Sequence, residues 1–273
     1  MTISLRDWLR FTENLSRISN RAALELRRWV NAQGGYANIE RQTLIDFVHA
    51  LATKYGEGTS ALAAAWYDAV AEASGKYLTS AEAAATATYA ETAKAVNGVL
   101  KISRNEELLA GAMERLVKMP GADTVLNNAI RDGAEVAWIP HGDTCAFCLA
   151  LASRGWEKAS RKTVQNGHAE HIHANCDCTY AVRFDENTDV EGYNDGAAYK
   201  EMYKNAPLDH WNTPDGKPPV GNTTDKDPLY QQRINAMRRV NYERHRTEIR
   251  AQQDKAYELR VELNRSAAEE KNV

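Results

Sequence analysis

Phenylalanine is scarce in this chain: 273 residues hold only four, and cysteine is as rare. An excess of charge of either sign is also lacking, since 34 basic residues face 37 acidic ones for a net charge of −3. That balance, with a pI near 6.2, excludes a protein that coats nucleic acid by bulk charge and leaves room for a local basic patch. A mean hydropathy of −0.58 and the shortage of large apolar residues argue against a compact β core. No hydrophobic run is long. The most apolar stretch, "ALAAAWYDAVAEA" from Ala61, is shorter than a membrane span and carries Asp68 and Glu72. Met1 to Arg10 mixes apolar with charged residues and leads into no signal-type core. These absences predict a soluble chain made in the cytoplasm, with no membrane partner.

What fills the space is helix. Trp8, Phe11, Leu15, Ile18, Ala22, Leu26 and Trp29 advance by three or four residues and predict a helix over 4–33 with one apolar seam, stopped by Gly34 and Gly35. Trp8 and Trp29 read as packing anchors of that seam. Leu44, Phe47, Val48, Leu51 and Tyr55 predict a second helix ending at Gly56. Alanine-rich helices are expected over about 59–74 and 80–102, the latter capped by Thr79 or Ser80. "NEELLAGAMERLVKM" predicts a helix before Pro120, and "ADTVLNNAIRD" a short one before Gly133. The period then changes: "EVAWI" (135–139) and "TYAVRF" (179–184) read as strands. The predicted fold class is mainly α with a small α+β module. A helical domain spans 1–132, the module 133–186, an irregular excursion 187–227, and a long charged C-terminal helix 228–273.

All four cysteines fall in the module, as Cys145 and Cys148 in "CAFCLALASRGW" and Cys176 and Cys178 in "HIHANCDC". In a reducing compartment such clustering points to metal more than to disulfides. A structural Zn2+ needs four ligands in a tetrahedron. Cys145 and Cys148 at a turn can converge on one ion. Cys176 and Cys178 on an ideal strand share a face about 6.5 Å apart, so both bind only if the chain bends there. His173 can replace one of them. Four of Cys145, Cys148, His173, Cys176 and Cys178 are therefore expected to hold zinc. A catalytic alternative exists. "HAE" at 168–170 is similar to the H-x-E of zinc deaminases, with Glu170 moving protons, but the order of its elements relative to C-x-x-C is reversed.

"GDTCAFCLALASRGW" followed by "HAEHIHANCDCTYAVRF" resembles the Mu-type minor head proteins of tailed bacteriophages, the MuF-like head-morphogenesis family. Asp143, Cys145, Cys148, Gly155, Trp156, His173, Cys176 and Cys178 carry the likeness, over about residues 133–185. The family's usual His-Pro stands here as His173–Ala174, and its basic residue between the last cysteines as Asp177. The resemblance implies a minor capsid protein of the virion, present in the host cytoplasm during assembly. It implies association with the portal or the major capsid protein, and a part in head assembly or genome delivery. A zinc hydrolase using Glu170, or a nucleic-acid-binding zinc module, are the alternatives. For the latter, Arg238, Arg239, Arg244, Arg246 and Arg250 make a basic face in "RRVNYERHRTEIR", fit for a partner or for genomic DNA. This C-terminal helix is expected to project, being poor in apolar anchors. No small-molecule substrate is expected.

Overall fold

A computed structural model describes residues 2–102, 106–140, 146–160, 178–191, 193, 196–206 and 232–237. Two compact units divide the chain, one of Met1–Thr144 with Leu151–Lys200 and one of Cys145–Ala150 with Glu201–Val273. The predicted boundary at 132 falls inside the first.

In the first unit, a short strand β1 (Thr2–Ile3) leads into α1 (Leu5–Ala32). Ser4 caps α1: its hydroxyl accepts from the Asp7 N–H at 3.1 Å and donates to the Asp7 carboxylate at 2.6 Å. The predicted seam is the buried face, with Trp8, Phe11, Leu15, Ala22 and Leu26 at 7 % exposure or less. Trp29 is partly buried and stacks on Phe47, ring centres 4.1 Å apart. After the turn at Gly34 and Gly35 and a 3-10 turn (Tyr36–Asn38), α2 runs unbroken over Arg41–Ala73.

Gly56 therefore does not end the second helix, contrary to expectation, and the predicted helix over 59–74 is its continuation. Nor does Pro120 break the fourth: α4 spans Glu106–Asp132 through it. Both departures come from one helix crossing. A Cβ on Gly56 would lie 3.0 Å from the Thr86 methyl and 3.3 Å from Pro120 Cγ, and one on Gly121 would lie 3.3 Å from the Thr59 carbonyl. Glycine here permits close approach, not a turn. The Thr59 hydroxyl also donates across to the Val117 carbonyl at 2.5 Å, beside the proline that has no N–H to give its own helix.

The expected helix over 80–102 begins only at Tyr89, as α3 (Tyr89–Ile102). Its cap is Thr88, whose hydroxyl accepts from Glu91 N while Glu91 accepts from Thr88 N. Residues 76–88 instead cross the bundle as an irregular strap held by side chains. Ala81 N donates to Asp68, Glu82 N to Asn128 and Ala84 N to Thr124, each at 2.8–2.9 Å. Asn128 returns a bond to the Glu82 carbonyl at 2.9 Å. The helix propensity of its alanines is a weak preference that these bonds override.

α4 stops at Gly133 (φ 67°), where the Ala134 N–H reaches back to the Ala129 carbonyl at 2.9 Å. The chain then enters β2 (Glu135–Ile139), the centre of an antiparallel sheet ordered β3-β2-β4, with β3 (Glu157–Lys158) and β4 (Thr179–Arg183) at its edges. Both predicted strands are present, and α4 and α2 pack against β4. Tyr67 of α2 meets Phe184 edge-on at 5.4 Å, tying bundle to sheet. Among its described residues the predicted excursion holds two elements: β5 (Asp189–Val190), paired in parallel with β1, and α6 (Ala197–Lys204). A further helix, α5 (Ala146–Ala152), follows β2.

In the second unit residues 232–237 are helical, within the predicted C-terminal helix. Ile234, Ala236 and Met237 are 3 % exposed or less, so this part is packed and does not project. The Arg233 guanidinium donates to the Tyr203 and Lys204 carbonyls at 3.3 and 3.1 Å, capping the last turn of α6. The remainder of that predicted helix lies outside the described residues.

Candidate metal centre and its surroundings

β2 is read by its two faces and two neighbours. Its residues pair in register with β4, from Glu135 opposite Arg183 to Ile139 opposite Thr179. Ile139 is the last residue of β2 and Thr179 the first of β4. The chain leaving towards the first cysteine pair and the chain arriving from the second therefore pass the same end of the sheet. Cys178 immediately precedes Thr179 and is 6 % exposed; Cys148 lies in α5 and is fully buried. Cys145, His173 and Cys176 lie outside the described residues, as do Glu170 and the five arginines Arg238, Arg239, Arg244, Arg246 and Arg250. Among the described residues no three His, Cys, Asp or Glu side chains gather as a metal site.

The donor set fits zinc on its chemistry. Thiolate sulfur with imidazole nitrogen is what Zn2+ takes in closed structural sites.

At the opposite end of the strands stands a charged and aromatic cluster. Arg183 bonds Glu135 across the strands at 2.6 Å, with 14 % and 35 % of their side chains exposed. Its guanidinium also lies 4.8 Å from the ring centre of Trp156, which meets Tyr193 edge-on at 6.0 Å. The Tyr193 hydroxyl donates to the Ala152 carbonyl at 3.4 Å. Gly155–Trp156 belongs to the motif singled out in sequence; Arg183, Glu135 and Tyr193 as its partners carried no sequence signal beyond strand position. The cluster fixes the chain after α5 onto the sheet. A cavity beside it, lined by Val136, Trp138, Leu151 and Tyr180 among others, holds about 20 Å³, room for one water.

A larger hollow lies between α1 and α2. It measures about 530 Å³ and is lined by Ile3, Asp7, Arg10, Phe11, Trp66 and Val70 among others. Phe11 stacks on Trp66 at 4.7 Å and Trp8 packs on its edge. The sequence marks Trp8 and Phe11 as core but not Trp66, although it stands four residues from Leu62 and from Val70, which line the same hollow.

No helix among the described residues is long and apolar enough to cross a membrane. No curated protein and no solved structure matches the chain. The family model described as VG15 protein matches residues 2–206, a span holding the helical bundle, the sheet and all four cysteines. With most of its length matched, the chain belongs to the VG15 protein family, a viral family of the phage type.

Proposed function

We propose that this protein is a minor head component of a tailed phage, of the MuF-like kind, working at the portal or the capsid interior in head assembly or genome delivery. The observation that carries the reading is the β2–β4 register, which brings the approaches to both cysteine pairs to one end of the sheet inside a phage-type family. Four of Cys145, Cys148, His173, Cys176 and Cys178 hold one structural zinc ion. It supplies cross-linking of the segment between the strands and no chemistry on a substrate. Ligand thiols bind metal only when deprotonated, so loading falls in acid.

The test is zinc content of the purified full chain together with its incorporation into particles. One zinc per chain, lost with Cys145→Ser and accompanied by poor incorporation, is the expected result. A metal-free wild-type chain that is incorporated normally overturns the zinc centre, and a chain absent from particles overturns the head role. Glu170→Gln should leave particle infectivity near normal, whereas loss of a general base in a hydrolase costs roughly 10²–10⁴-fold in rate.

A further inference from the structure

The face of α1 opposite its apolar seam carries a row of arginines. Arg6, Arg10, Arg17, Arg21 and Arg28 are all exposed, and they follow one another at intervals of four, seven, four and seven residues. At about 100° per residue this spacing keeps all five within roughly a 60° arc, and at 1.5 Å per residue the row is about 33 Å long. The interval of eleven residues is three turns, so the row does not wind around the helix.

The acids that could neutralise it are mostly engaged elsewhere. Glu25 accepts from the Tyr55 hydroxyl at 2.5 Å and pairs with Lys54 at 3.1 Å. Those bonds, the Tyr55 one first, with a smaller contribution from the charge of Arg21, hold its carboxyl below the usual carboxylate range. Asp7 is bonded to Ser4 at the helix cap, and Glu191 accepts from the Leu5 N–H at 2.9 Å. Glu13 alone stands in the row, 3.9 Å from Arg17, with both side chains more than half exposed. Such a pair is weak and easily exchanged for another anion. Among the described residues Arg6, Arg10 and Arg28 make no ion pair. In a chain of net charge −3 this is a local concentration of one sign.

We propose that this arginine row of α1 binds the phosphate backbone of double-stranded nucleic acid. Arginine presents a planar fork that meets phosphate oxygens in pairs, and a straight row suits a rigid polyanion. An acidic protein surface is the less fitting partner. Protein interfaces are depleted of charge at their centres and rich in aromatics, and this face offers only Leu24 and, at its start, Leu5 as exposed apolar side chains. The inference rests on charge placement, independent of the metal centre, and goes beyond the head role proposed above.

The test uses the full zinc-loaded chain and a labelled DNA duplex of about 30 base pairs, with affinity measured by anisotropy between about 50 and 200 mM salt. Each phosphate contact contributes roughly 0.9 to the slope of log affinity against log salt. Changing Arg10, Arg17 and Arg21 together to Gln should therefore flatten the slope by about two to three and weaken binding at least tenfold at the lower salt. All three side chains are exposed, so an unchanged melting curve is expected and is checked. The same exchange at Arg41, Lys76 and Lys101, exposed basic residues away from this row, should leave slope and affinity near wild type. Overturning results are a wild-type chain that does not bind the duplex, or an α1 variant that binds with wild-type slope. A variant that keeps DNA affinity and loses particle incorporation also overturns it, and assigns the row to a protein partner. Zinc content is read on the same samples, so failure of the metal reading is seen separately.

Discussion

Asp132 ends α4 with its side chain 9 % exposed, accepting from Arg131 at 2.8 Å and from the Tyr67 hydroxyl at 2.8 Å. Arg131 in turn reaches the Thr79 and Ser80 carbonyls at 2.8 and 3.2 Å, so the cluster joins α2, α4 and the start of the strap. The Arg131 bonds first, with Tyr67 adding to them against the opposing effect of burial, hold the Asp132 carboxyl below its ordinary range. Burial and the same contact push the Tyr67 phenol up, keeping it a donor at any neutral pH. A carboxylate whose pKa is depressed on folding adds stability above its unfolded pKa of about 3.9, and that stability is lost as pH falls through the folded value. Asp132→Asn should cost about 1–3 kcal/mol at pH 7, seen as a lower urea midpoint. The gap to wild type should close below about pH 4. A gap of the same size at both pH values would show that shape, not charge, makes the contribution.

Among the elements, the strap over 76–88 depends most on single side chains. Asn128 is 2 % exposed and satisfies both the N–H and the carbonyl of Glu82. Asn128→Ala leaves those two backbone groups without their partner, at a cost of about 1–3 kcal/mol. Amide exchange at Glu82 and its neighbours should accelerate before that of α2 or α4. Uniform acceleration across the bundle would mean the strap has no separate opening. This element also marks how far the sequence could be read. The α1 seam was legible because seven apolar residues repeat along one face, and burial followed. The strap was not, because "SAEAAATAT" has the local preference of a helix and its partners, Asp68, Thr124 and Asn128, are far away in the chain. Gly56 and Pro120 misled for a related reason. Their usual meaning is local, whereas here each answers to a neighbouring helix less than a side chain away. Around the candidate site the two flanking strands were legible from the change of period in "EVAWI" and "TYAVRF", and both formed where expected. The pairing of Glu135 with Arg183, and of Arg183 with Trp156, needed the register, which no local pattern encodes.

For the molecule as a whole, the C-terminal region was read as a projecting arm, and its buried start changes what truncation should do. A chain ended at residue 227 loses Ile234, Ala236, Met237 and the Arg233 cap on α6, so apolar surface normally covered is left open. It should aggregate, whereas a chain ended at 237 keeps these groups and should elute at the volume of a single species on size exclusion. Identical behaviour of the two would mean that the buried residues contribute little to solubility. The β1–β5 pairing acts on the same scale. Thr2 and Ile3 lie in parallel register with Asp189 and Val190, and Leu5 N is held by Glu191. Their partners come 187 positions later in the chain. At about 5–20 residues per second, the opening of α1 waits roughly 10–40 s for the strand that anchors it. Through that interval the rest of the bundle can close on the α1 seam while its first turn still waits for the strand that pairs beside it.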